Sequence, residues 1–119
     1  SSRFDAWMQA DLDRLKSAWG AAKTSGASHA DYKLLETCAH NIRGVATSYG
    51  YPAVSRLCGS LCRLLSETEP GENSALINLH VEACMAAFGS IGRGDAAQSV
   101  ANAVCDALEE RVAVKTAKT

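Results

Sequence analysis

Apolar residues recur at helical spacing along almost the whole chain, and no stretch alternates apolar with polar residues in the β-branched, aromatic-rich manner of a strand. This restricts the fold to helices packed on helices, an all-α class. Breaks in the pattern divide the chain into five segments. The first runs from about Phe4 to Ala22, with Phe4, Trp7, Leu12, Leu15 and Trp19 on its apolar side, and Thr24, Ser25, Gly26, Ala27 and Ser28 read as a turn. The second starts after Ser28, whose hydroxyl is placed to cap free backbone N–H groups with Asp31 three residues on, and ends near Gly50. Proline is accommodated in a first helical turn, where its missing N–H has no intrahelical partner, so a third helix runs from Pro52 to about Glu67. Pro70 and Gly71 stop it. A fourth spans roughly Asn73 to Ile91 before Gly92, Arg93 and Gly94 interrupt. Asp95 with Gln98 forms a capping pair for a fifth helix ending near Val114, and a polar tail runs from Lys115 to Thr119.

Helices joined by short turns favour antiparallel neighbours, and 119 residues is the length of one domain with one core. Residues 1–119 are therefore expected to form a single helical bundle. Twelve Lys and Arg against thirteen Asp and Glu give a net charge of −1, which offers no charge excess for nucleic acid or a membrane surface. No apolar run approaches the roughly 20 residues that span a bilayer. The five cysteines are odd in number and form no C-x-x-C pair, a usage that suits a reducing, cytoplasmic setting.

The second helix carries the informative residues. On a wheel of about 100° per residue with Cys38 at zero, Leu34, Leu35, Ile42, Val45 and Tyr49 fall within roughly 60° and form the predicted buried stripe. His40 falls at about 200°, with Glu36, Arg43, Gly44 and Thr47 at roughly 140° to 240° on the same polar face. A surface histidine without a role explains this equally well from spacing alone. Gly44 weighs against it, because a mid-helix glycine costs up to about 1 kcal/mol relative to alanine. One turn after a histidine, it removes a side chain that would crowd the imidazole. The pair suggests a surface that something large approaches closely.

The run Ala39, His40, Asn41, Ile42, Arg43, Gly44, with Gly50 six residues later and Leu57, Cys58, Leu61 and Leu65 in the next helix, resembles the histidine-containing phosphotransfer (HPt) domains of multistep phosphorelays. The resemblance implies an antiparallel four-helix bundle, here with one additional helix. It implies His40 as phospho-acceptor, Arg43 as the basic group favouring phosphoryl oxygens or an acidic partner, and Gly44 as the opening for the partner. It also implies reversible transfer between His40 and the aspartate of a response-regulator receiver domain, itself free or part of a hybrid histidine kinase. Such a domain carries no intrinsic cofactor, the receiver bringing its own Mg²⁺. Nothing resembles a nucleotide-binding loop, so the chain reads as a phosphoryl carrier rather than a kinase. Lys33, Asn41, Thr47, Arg56 and Arg63 are the expected partner-binding residues, a mildly positive surface around His40. Where many members place a Gln or other polar residue near the active ring, this chain offers Cys58, Gly59, Cys62 and Arg63.

Other constellations have simpler readings. His29 at a helix start and His80 at the edge of the stripe Ile77, Val81, Cys84, Phe88 and Ile91 read as surface or boundary residues. Cys58 and Cys62 lack the other ligands of a zinc site and read as small core hydrophobes. Trp7, Trp19, Tyr49 and Tyr51 read as core and cap residues rather than a ligand pocket. The alternative function is a helical interaction module that binds a receiver or kinase and regulates it without relaying phosphate.

Overall fold

The computed structural model describes residues 2–117. Five helices account for nearly all of them: α1 (Ser2–Thr24), α2 (His29–Ala46), α3 (Pro52–Glu67), α4 (Ser74–Ser90) and α5 (Asp95–Thr116). Among the described residues there is no strand. Local chemistry sets most of the ends. The Ser28 hydroxyl accepts from the Asp31 N–H at the start of α2, and Pro52 opens α3 as its first helical residue. Between them α2 stops at Ala46 rather than near Gly50. The Tyr51 N–H reaches back to the Ala46 carbonyl at 2.8 Å, and Gly50 turns the chain at φ +93°.

Helices α1 to α4 form a closed ring, α1 on α2, α2 on α3, α3 on α4 and α4 back on α1. Each consecutive pair packs side by side across a connection of a few residues, which requires the two helices to run antiparallel. This is the four-helix bundle, and α5 is the addition. It lies outside the ring against α3 and α4, burying Ala101, Cys105, Leu108 and Val112. The core is filled by Met8, Leu12 and Leu15 of α1, Leu35 and Ile42 of α2, Val54, Leu57, Leu61 and Leu64 of α3, and Ile77 and Val81 of α4.

Several expectations from the sequence need correction. In α2 the buried residues are Tyr32, Leu35, Ala39, Ile42 and Ala46, so the buried stripe centres about 80° round from Cys38 and Leu34 is exposed. Small alanines, Ala39 and Ala46, take inward positions, and the larger Leu34 is left outside. Phe4 and Trp7 are likewise exposed, and Met8 takes the inward position. His80 is neither surface nor boundary but fully buried, because α4 is covered by α1, α3 and α5. Asp95 does not cap α5: Gly94 is the N-cap residue without a side-chain bond, and the Gln98 amide donates to the Ser90 carbonyl. The fifth helix continues past Val114 to Thr116, whose hydroxyl donates to the Val112 carbonyl; Lys118 and Thr119 of the expected tail lie outside the described residues.

Candidate functional site

His40 stands exposed past the middle of α2, on the rim of an open groove of about 940 Å³. The groove is walled by α2 (Lys33, His40, Arg43, Thr47), by α3 (Ser55, Arg56, Gly59, Ser60, Cys62, Arg63) and on its far side by Glu109 and Val112 of α5. Of the residues expected around the site, Lys33, His40, Arg43, Thr47, Arg56 and Arg63 share this groove. Asn41 is exposed on α2 but does not line it. Gly44 is exposed one turn after His40, and nothing lies within 4 Å of where its Cβ would stand. The packing of the chain itself therefore does not require a glycine there.

The basic residues are in different electrostatic states. Lys33 is 3.6 Å from Glu36 and Arg63 is 3.4 Å from Glu67, both loose pairs within one helix. Arg56 is held across helices: its Nε and Nη2 donate to the two carboxylate oxygens of Glu109 at 3.1 and 2.6 Å, and Nη2 also donates to Asp106 at 2.7 Å. These bonds, Glu109 first and Asp106 second, hold the guanidinium even further above neutrality than usual. Arg43 is the one groove cation without an ion pair among the described residues. Its stem lies across α3, with Cδ and Nε 3.5 Å from where a Cβ on Gly59 would be, and Ser55 donates to its carbonyl at 2.9 Å. Arg43 thus rests against α3 at Gly59, at a distance where a Cβ would make ordinary contact.

Of the four α3 residues offered near the active ring, Gly59, Cys62 and Arg63 line the groove with His40, and the Cys62 thiol turns to the Glu36 carbonyl at 3.9 Å. Burial first, then the neighbouring Cys58 thiol and Glu36, push that thiol up to about 11, so near neutral pH it stays protonated and does not compete with the imidazole as a nucleophile. Cys58 points the other way, with its sulfur 3.8 Å from that of Cys84 in the core. Among the described residues no three His, Cys, Asp or Glu side chains gather as a metal site, and no helix is long and apolar enough to cross a membrane.

Below the groove floor, Ser60 meets His80. The Leu76 carbonyl can only accept, so Nδ1 of His80 donates to it at 2.7 Å, and Nε2 accepts from the Ser60 hydroxyl at 2.9 Å. Burial pushes the imidazole below its ordinary range, opposed by the Leu76 carbonyl, which favours the charged ring. His29 is exposed at the first position of α2. Trp19 packs inside, donating from its indole to Asn78 at 3.0 Å, and Tyr51 is buried with its hydroxyl donating to Asp5. Trp7, by contrast, sits exposed in a cluster with Phe4 and Tyr49.

Among the groove residues, Ser55, Ser60, Glu109 and Val112 were not assigned from the sequence, and Gly59 was named only within the α3 stretch set against the ring. Gly59 carried a usable signal, a second mid-helix glycine on the helix after His40; Glu109 carried none, because its contact is 53 residues distant in sequence.

No curated protein and no solved structure matches the chain. A family model described as the Hpt domain matches residues 2–91, which contain α1 to α4 and leave α5 outside, and with that match over the bundle and the His40 face the chain belongs to the Hpt domain family.

Proposed function

We propose that the protein relays a phosphoryl group between His40 and the aspartate of a response-regulator receiver domain, free or within a hybrid histidine kinase. The observation that carries this reading is the exposed imidazole on a groove rim, with Arg43 beside it unpaired among the described residues and no side chain at Gly44 to block approach. A neutral ring nitrogen attacks the phosphorus of the partner's aspartyl phosphate in line. The N–P bond forms as the P–O bond to the aspartate breaks, the carboxylate leaves with the bonding electrons, and the other ring nitrogen keeps its proton. Reversal returns the group to an aspartate. Arg43 supplies positive charge toward the phosphoryl oxygens, and the partner supplies Mg²⁺ with its own carboxylates.

The test is transfer from a panel of phosphorylated receivers to the wild-type protein and to His40→Ala. Acid-labile, alkali-stable label that disappears in the variant is the expected result. A folded protein that binds receivers yet takes no label from any of them would replace the relay with a regulatory interaction module.

A further inference from the structure

The added helix α5 lies outside the Hpt match, yet it reaches the His40 groove with Glu109 and Val112, and there Glu109 clamps Arg56. Arg56 projects from α3 into the groove that holds His40 and Arg43, and its side chain is still 37% exposed. A cation there faces any acidic partner docking over His40. Glu109 engages it with both carboxylate oxygens, the fork geometry that holds a guanidinium most firmly, and Asp106 adds a third bond. Those carboxylates remain 40% and 72% exposed, so the clamp also sets negative charge at the groove edge. Only Arg43 is left without an ion pair among the described groove cations.

We infer that α5 is a specificity element, in which Glu109 and Asp106 withhold Arg56 from the docking face and so restrict which receivers the His40 groove accepts. The inference rests on the proposed relay and adds to it the selection of partners. Charge at a docking rim acts mainly on association rate and on discrimination, and it weakens as salt screens it. Releasing Arg56 adds an uncompensated cation to the groove and speeds the more acidic receivers most. Deleting Arg56 has the reverse effect, because it leaves two uncompensated carboxylates.

The experiment measures receiver binding and transfer rates across a panel graded in acidity, at low and high salt, for wild type, Asp106→Asn/Glu109→Gln and Arg56→Gln. Labelling of His40 by phosphoramidate, a small donor that needs no docking, normalises each protein. Failure of the wild type with both donors would count against the relay itself, and failure of receivers to bind would count against any receiver-directed role. For the inference, the double variant should favour acidic receivers by about threefold or more at low salt, and Arg56→Gln should disfavour them. Both variants break the same contact between α3 and α5, so a loosened helix would move them in the same direction. Parallel shifts, or selectivity equal to wild type at low salt in both variants, would overturn the proposal.

Discussion

At the scale of single residues, two glycines six positions apart should respond oppositely to the same substitution. Gly44 is helical with free space around its missing Cβ, so Gly44→Ala should raise stability by about 0.5–1 kcal/mol. If the open side of His40 serves a docking partner, Gly44→Ala should also slow receiver transfer and Gly44→Leu should slow it further. Gly50 holds φ +93°, where an L side chain is strained, so Gly50→Ala should cost about 1–2 kcal/mol. Denaturant midpoints together with transfer rates check both. A Gly44→Ala protein more stable and equally fast would remove the steric account of that glycine. The short motif made His40, Arg43 and Gly44 legible because they lie within two turns of one helix, where spacing alone fixes the shared face. The state of Arg56 was not legible in this way, since its partners are 50 and 53 residues away.

At the scale of elements, the helix ends were legible where a local residue sets them, as Ser28 and Pro52 do, and less so where a tertiary contact does. The orientation of α2 was misjudged for a physical reason. Large apolar residues dominate a wheel, but helices in close contact select small ones, so Ala39 and Ala46 face inward and Leu34 outward. The burial of His80 was hidden for a related reason: the buried face of α4 extends beyond the stripe of larger residues to Leu76 and the small Ala87, which puts His80 inside that face rather than at its edge. That burial has a pH consequence. The folded protein holds His80 below the value it takes when unfolded, about 6.5, so between those two values the unfolded chain binds more protons and stability rises with pH. The stabilisation is fully present above about pH 6.5 and is lost as pH falls through the folded value. Thermal midpoints of wild type should therefore drop on acidification, and His80→Gln should be less stable near neutrality with a shallower pH slope. Equal slopes would show that the buried ring does not titrate against folding.

At the scale of the whole molecule, the family match stops short of a helix that packs on the bundle. Residues 2–91 hold the bundle, but the outer faces of α3 and α4 are apolar where α5 covers them. Leu57 of α3 is 1% exposed, and Leu108 and Val112 of α5 are 6% and 1% exposed. Burying each such side chain contributes roughly 1.5–3 kcal/mol. Removing α5 thus forfeits several kcal/mol of a total that for a domain of this size is about 5–15 kcal/mol. A chain ending at Gly94 should unfold at a markedly lower temperature and bind a hydrophobic dye such as anilinonaphthalene sulfonate in its native state. Arg56→Gln, which removes the clamp but keeps the apolar contacts, should lower the midpoint far less, because partly exposed ion pairs contribute little. If the shortened chain instead kept its unfolding temperature, the bundle would be self-sufficient and α5 would be held mainly by polar contacts. The order of the two midpoints then separates the helix's work in the core, done by Leu108 and Val112, from its work at the groove, done by Asp106 and Glu109.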